Sequence, residues 1–275
     1  MVLTALNTEE LKEIFDEKAM KVMRFSLAKS MLGQPEPILG QQALPYQIAK
    51  EHIEQWMVQA LGVESVGSGS YPIDIYNKEE KWGADVKMLS CKIDYNGALL
   101  SADSGETSLA QNFKGSGNNL DQQFKEKKYL EAVKKWLEIV EVKLKSVEKD
   151  YPINDIYYFF FLRAGMTFYL AGLKVNPEEL KNVIIDEQRI SGTSIYTKNY
   201  IDSTIGNVKL YKSKKRLELR LRPDALLKNN MLLEVMHLDS LENINLRELV
   251  DDEEKAKKYL INISENYVIN NLFKA

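Results

Sequence analysis

One segment, residues 71–89, limits the folds open to this chain because it places charges inside an apolar strand. Its second half alternates apolar residues with Asp85 and Lys87. Side chains at positions i and i+2 of a strand project from the same face, so these two are expected side by side. A turn at residues 78–81 would fold the chain back as a hairpin and bring Asp74 alongside them. The segment therefore predicts paired strands that carry two carboxylates and one amine on one face.

These side chains have the chemistry that phosphodiester cleavage requires. Two carboxylates are hard oxygen ligands that suit Mg²⁺, an ion that keeps several waters and engages phosphates. An ammonium group beside the metal can hold or deprotonate the attacking water. The alternative interpretation is an edge hairpin with solvated charges. The apolar residues around Asp85 favour chemistry, because a charge in a buried strand is costly unless it is paired or bound to a metal.

Composition and charge place the chain among ordinary globular proteins. Its 275 residues are 44% hydrophobic and 28% charged, enough for one large domain or two small ones. The formal net charge is −3, so contact with a polyanion requires a local basic patch. The single cysteine, Cys91, cannot form an intramolecular disulfide, which predicts a reducing cytoplasm. We expect no signal peptide and no membrane span, because the longest aromatic-rich run, residues 156–162, is far shorter than a bilayer.

The order of elements predicts one domain with a layered α/β fold and a mixed central sheet. Helices are expected from residue 8 to about 33 and from about 45 to 61, before the hairpin. A long amphipathic helix follows at about residues 121–148, with apolar residues at steps of three and four. Residues 155–162 form a short apolar run typical of a buried strand. Residues 190–240 are β-like and predict a β-rich C-terminal extension of the same domain.

The hairpin resembles the PD-(D/E)xK signature of type II restriction endonucleases and some DNA-repair nucleases. The residues PID at 72–74, a spacer of ten residues and DVK at 85–87 follow that pattern. The helices before and after the hairpin also follow the core order of that family, over about residues 44–165. Two departures are the isoleucine inside the first triplet and an aspartate where glutamate is commoner in the second.

This resemblance implies a restriction-endonuclease-like core and a role for each hairpin residue. Asp74 and Asp85 would bind Mg²⁺, and Lys87 would position the nucleophilic water. Such enzymes often add a glutamate from the preceding helix. Here Glu51 is the first choice and Glu54 the second.

A second pair of acids lies further along the chain. Asp224 follows a proline, and Glu234 precedes Met236 by two positions, so methionine stands where the signature has lysine. A thioether cannot steer a water by charge. We therefore interpret Asp224 and Glu234 as structural residues.

A dense group of basic residues predicts a contact with DNA. Within this group, Arg216, Glu218 and Arg220 share one face of a strand and alternate with leucines. A two-stranded basic ribbon can follow phosphates or enter the major groove, whereas the alternative is a solvated sheet face. The expected DNA-contacting residues, which have the single acid Glu218 among them, are Lys209, Lys212, Lys214, Lys215, Arg216, Arg220 and Arg222.

Together these features predict a Mg²⁺-dependent, sequence-specific endonuclease of double-stranded DNA, of the type II restriction class. A homodimer is expected because cutting both strands needs two active centres and a symmetric site suits a two-fold dimer. One alternative is a DNA-repair or structure-specific nuclease of the same fold. Another is a catalytically silent DNA-binding or protein-interaction module, whose carboxylates would bind no metal. A neighbouring DNA methyltransferase gene would favour restriction.

Overall fold

The helices and strands come from a computed structural model that describes residues 1–34, 40, 46–67, 71–111, 120–238 and 245–270. The α-helices in these ranges are α1 Thr8–Ile14, α2 Glu17–Ser30, α3 Lys50–Leu61, α4 Leu120–Lys125, α5 Tyr129–Asp150, α6 Pro223–Lys228, α7 Leu246–Leu249 and α8 Glu253–Ile263. Short 3-10 helices occupy Met31–Gly33 and Pro177–Asn182, and a π-helical turn occupies Ser264–Ile269. The strands are β1 Leu3–Ala5, β2 Glu64–Ser65, β3 Ile75–Asn77, β4 Trp82–Ser90, β5 Thr107–Gln111, β6 Asp155–Ala164, β7 Thr167–Val175, β8 Ile184–Ile190, β9 Ser194–Lys198, β10 Gly206–Tyr211, β11 Arg216–Leu221 and β12 Leu233–His237.

The main sheet is mixed and contains seven strands in the order β1-β7-β6-β4-β3-β2, with β12 pairing to β7. Strands β4 and β6 run parallel along the whole of β4, and the other pairs are antiparallel. A parallel pair needs a crossover connection, which here runs through β5, α4 and α5. The predicted α/β architecture with a mixed, helix-flanked central sheet is confirmed.

The two faces of the main sheet have different covers, and this difference positions the candidate site. Helices α1, α2 and α3 pack on one face, in a core that includes Ala84, Val86 and Phe159. Helix α5 and the second sheet cover the opposite face, in a core that includes Leu89 and Phe160. Because both faces are covered, the middle of β6 is a continuous apolar run with no exposed surface.

The second sheet has five strands in the order β5-β11-β10-β9-β8, and it differs from the predicted extension of residues 190–240 at both ends. It begins at Ile184 and also takes β5 from the predicted 44–165 core. After β11 the chain enters α6 and then returns to the main sheet as β12. Pairing between β5 and β11 joins residues about 110 positions apart, which local alternation cannot reveal. Residues 44, 45, 68–70, 112–119, 239 and 240 of these predicted regions lie outside the described residues.

Several predicted helices are shorter or divided. The expected helix at 121–148 breaks between α4 and α5, where Lys127 has a left-handed φ of 57°. The expected helix at 8–33 divides because Asp16 accepts a hydrogen bond from the Ala19 amide and caps a new helix. Helix α3 begins at Lys50 and ends at left-handed Gly62.

Two general expectations concern the membrane and the cysteine. Within the described ranges, no helix has the length and apolar character that crossing a bilayer requires. Cys91 is a free, partly buried thiol. Burial raises the pKa of the Cys91 thiol to about 12, so this side chain is a poor nucleophile.

Candidate active site

The hairpin that carries the candidate residues forms as predicted. Strands β3 and β4 pair antiparallel, with Ile75 opposite Ala84 and Asn77 opposite Trp82. The Asn77 side chain accepts hydrogen bonds from the second and third amides of the turn at residues 78–81, at 3.0 Å each, and so closes the hairpin.

Asp74 is held beside Asp85 by three hydrogen bonds. Its amide donates to the Ala84 carbonyl at 2.8 Å, and its own carbonyl accepts from Val66 at 2.9 Å. Its Oδ2 accepts from the Val86 amide at 2.7 Å. Two of these bonds fix the backbone of Asp74, and the third fixes its carboxylate.

A glycine permits this arrangement. A Cβ atom on Gly83 would lie 2.7 Å from Cδ1 of Ile73, which is buried across the hairpin. Because Ile73 directly precedes Asp74, a larger residue at position 83 would require the Ile73 side chain next to the carboxylate to move.

Asp85 and Lys87 lie on the face of the main sheet that α5 and the second sheet cover. Ala84 and Val86, which alternate with them, belong to the core on the α1–α3 side. The Lys87 Nζ pairs with Asp85 Oδ1, and their side chains are only 20% and 13% exposed. The two residues thus form a largely desolvated ion pair, with Asp74 beside it.

Burial raises the pKa of the Asp85 carboxyl to about 7. Lys87 opposes this shift with its positive charge, and Asp74 adds to it through a hydrogen bond and its negative charge. Asp74, Asp85 and Lys87 are therefore so close together that ionising both carboxyl groups at once is costly. A perturbed carboxyl of this kind is typical of functional sites.

A second amine, Lys143 of α5, completes the cluster, and the sequence interpretation missed it. It lies among the buried residues of α5, three positions after Val140 and one before Leu144. Burial lowers the pKa of Lys143, and the nearby charges of Asp85 and Lys87 act on it in opposite directions. Its position on an otherwise apolar helix stripe was the signal that could have identified it.

The structure does not bring Glu51 to the acid pair. Helix α3 packs on the opposite face of the main sheet through Ile53 and Met57, which are fully buried. Glu51 is exposed on this helix, and Glu54 lies one turn further along it. A groove of about 910 Å³ between α2 and α3 lies on that same side and is remote from Asp85.

The second Pro-Asp pair does not form a comparable site. Asp224 lies in the first turn of α6, which follows the second sheet, whereas Glu234 lies on β12 in the main sheet. Asp224 is buried with Lys228 at 3.6 Å, and Glu234 is exposed. These acids do not face each other across one hairpin, in contrast to Asp74 and Asp85.

The carboxylates suit a magnesium ion better than a metal that needs many protein ligands. Among the described residues, no three His, Cys, Asp or Glu side chains are grouped to hold a metal. Mg²⁺ usually takes only one or two carboxylates and keeps several waters. Asp74 and Asp85 supply two such carboxylates. Val86 binds one oxygen of Asp74, Lys87 binds one oxygen of Asp85, and a bound metal would replace the hydrogen bond that the two acids share.

The predicted basic ribbon exists as the β10–β11 hairpin, but its charges are paired. Leu217, Leu219 and Leu221 are fully buried on one face, and the cations lie on the other. Glu218 is fully buried and pairs with Lys209, Arg216 and Arg220 at 3.5, 3.0 and 2.8 Å. Glu218 was the only acid expected among these cations from the sequence, and the fold brings further acids from other segments next to them.

Three further acids come from the segment around β5 and from α4. Glu106 pairs with Lys214, with Arg216 at 2.6 Å and with Arg220 at 2.7 Å. Asp121 lies 3.7 Å from Lys212 and 3.9 Å from Lys215, and Asp103 lies 3.4 Å from Arg222. Seven cations thus share four acids, so the ribbon keeps a smaller excess of positive charge than its sequence suggests.

Comparisons with protein-family models, with curated proteins and with solved structures found no match for this chain. The geometry and chemistry of the cluster therefore carry the functional argument.

We expect Asp85→Asn to remove a pH-dependent loss of stability. As the pH rises from about 4 to 7, an unfolded chain releases the Asp85 proton while the folded chain retains it, so folding becomes less favourable. With a folded pKa of about 7, this effect is on the order of 4 kcal/mol above pH 7. The free energy of unfolding should be measured with urea between pH 4 and 8 in EDTA.

The matched control is Asp155→Asn, which changes a more exposed aspartate beside Lys174. Relative to wild type, the Asp85 variant should gain stability as the pH rises, and the Asp155 variant should not. Parallel pH profiles for wild type and the Asp85 variant would contradict the raised pKa.

Proposed function

We propose that this protein is a Mg²⁺-dependent endonuclease of double-stranded DNA, of the site-specific type II restriction class. The observation that carries the proposal is the cluster of Asp74, which directly precedes β3, with Asp85 and Lys87 on the paired strand β4, where their ion pair is largely withdrawn from solvent. Two carboxylates with a lysine two positions after the second acid match the chemistry of phosphodiester hydrolysis. The resemblance to the PD-(D/E)xK signature agrees with this assignment.

In the proposed mechanism the acids and the lysine of the hairpin have different roles. Asp74 and Asp85 would hold the metal, which supplies Lewis-acid stabilisation of charge on the phosphate when bound. Lys87 would orient the water that adds to phosphorus while a bridging P–O bond breaks. Burial strengthens these interactions, because electrostatic effects grow as water is excluded.

The β10–β11 ribbon would supply phosphate contacts for the duplex. Its cations exceed the acids that pair with them, and Lys214 and Lys215 are about half exposed. The ribbon also pairs with β5, whose Leu109 carbonyl lies 3.5 Å from Lys143 at the acid cluster. Ribbon and cluster are therefore connected through one strand.

The direct test is incubation of the protein with plasmid DNA and Mg²⁺, followed by sequencing of any ends. Discrete fragments with a common end sequence support a site-specific enzyme, and a smear indicates a nuclease without sequence specificity. Plasmid that stays intact across divalent metals and ionic strengths contradicts nuclease activity and favours a binding module.

Lys87→Ala should reduce cleavage by about 10²- to 10⁴-fold, the usual contribution of a group that assists proton transfer. The fold should be retained, because Lys87 sits beside the proposed metal ligands without being one, and the affinity for DNA should fall by much less than the rate of cleavage. Time courses at saturating Mg²⁺ with thermal melting provide the measurement. Lys92→Ala, an exposed lysine just beyond β4, and Glu234→Ala should both cut normally. An active Lys87 variant, or a folded but inactive Glu234 variant, would place the site elsewhere.

Glu106→Gln should increase the affinity for DNA. This change removes a carboxylate that pairs with Lys214, Arg216 and Arg220, and so frees cations for phosphates. The plot of log affinity against log salt should steepen by about 0.9 for each additional phosphate that the freed cations neutralise. Fluorescence anisotropy with a labelled duplex measures both quantities.

Glu141→Gln is the matched control, because it makes the same charge change on α5, where Glu141 pairs with Lys145. Equal affinities for the two variants would mean that only net charge matters and that the ribbon does not contact DNA.

We propose that the active form is a homodimer, since a duplex presents two strands and each needs an active centre. Light scattering should give twice the chain mass, either free or on DNA. A monomer under both conditions would contradict this part of the proposal.

A further inference from the structure

Lys143 is a partly buried amine that the proposed mechanism has not used. It projects from the face of α5 that also buries Val140, Leu144 and Val147, so it points toward the main sheet. Asp85 and Lys87 project from that sheet toward α5. The lysine therefore approaches the acid cluster from the opposite side of a narrow interface.

Among the described residues, Lys143 has fewer hydrogen-bond and ion-pair partners than a partly buried ammonium group usually has. An ammonium group has three donors, yet the described residues give Lys143 a single long hydrogen bond, to the Leu109 carbonyl at 3.5 Å. In the same described part of the chain, no carboxylate forms an ion pair with it, and Asp85, whose charge acts on it, is already paired with Lys87. A partly buried cation that has no ion-pair partner among the described residues is a favourable place for an anion from outside.

We propose that Lys143 binds a non-bridging oxygen of the scissile phosphate and, with Lys87, forms a phosphate position facing Asp85. This inference rests on the proposed function and assigns a substrate contact to a residue outside the signature. Two amines from different elements can each hold one of two oxygens of the same tetrahedral anion. Lysine is a common phosphate ligand because it acts as a compact point charge.

The charges of the site agree with this assignment. Once a divalent cation neutralises Asp74 and Asp85, the two lysines leave two positive charges. One phosphodiester, and the hydroxide that forms when the oriented water gives its proton to solvent, neutralise them. Without Lys143 the same site would bind its two reactants with one negative charge uncompensated.

The test compares Lys143→Gln and Lys143→Arg with Lys145→Gln. Lys145 is the matched control because it lies on the same helix, is about two-thirds exposed and pairs with Glu141. Binding of a fluorescein-labelled duplex is measured by anisotropy in EDTA over a series of salt concentrations, so that this readout does not require cleavage. Thermal melting of each variant is recorded in parallel.

Lys143→Gln should weaken duplex binding by about tenfold and reduce the salt slope by about 0.9, the share of one phosphate contact. Lys143→Arg should restore both values, and Lys145→Gln should match wild type. The Gln variant should melt at or above the wild-type temperature, because it removes an unpaired buried charge. If the Gln variant melts lower or fails to fold, Lys143 is a structural residue and the inference is wrong.

Kinetics in Mg²⁺ separate this inference from the proposed function. If wild type cuts DNA and Lys143→Gln has an unchanged KM and salt slope, the phosphate contact is wrong while the nuclease stands. If wild type does not cut but duplex binding depends on Lys143 as described, the phosphate contact stands and the nuclease assignment fails.

Discussion

The parallel pairing of β4 with β6 is the constraint on which the rest of the structure depends. It runs the full length of β4 and places Asp85 beside Tyr158 and Lys87 beside Phe160. The connection between these strands contains α5, which covers the face on which these charges lie. The same pairing also puts Ala84 and Val86 against the α1–α3 layer. Strand β4 therefore presents apolar side chains to one layer and an ion pair to the other. The two charges are tolerated inside the protein because each is paired with the other.

Local patterns in the sequence predict the parts of the fold that depend on neighbours along the chain. Alternation from Trp82 to Leu89 predicts β4 and the side on which Asp85 and Lys87 lie, and both agree with the structure. The apolar run that becomes β6 likewise predicts a buried strand. Such features follow from strand and helix periods alone, so they need no knowledge of distant contacts.

Contacts between distant segments account for what the sequence did not predict. Glu106 and Asp121 meet the basic ribbon only because β5 pairs with β11, so the sequence showed cations with a single acid. Glu51 precedes the hairpin closely in the chain, yet the packing of α3 through Ile53 puts it across the sheet. Lys143 differs, since it breaks an apolar helix stripe that was visible beforehand. A charged residue on a core-facing stripe is thus as informative as a recognised triplet.

The internal pairing of the ribbon has a consequence for how the protein would search DNA. A surface whose cations are partly offset by paired acids projects a weaker field than the cations alone would, so diffusing duplex is attracted over shorter distances. Encounters would be slower than for a bare basic surface, but random sequence would also hold the protein for less time. The residence time of the protein on DNA would then be long only at DNA sites whose phosphates can replace Glu106 and Asp121 as partners of the ribbon cations. Such a protein would associate with DNA more slowly, and it would spend less time bound to sequences that it does not cut.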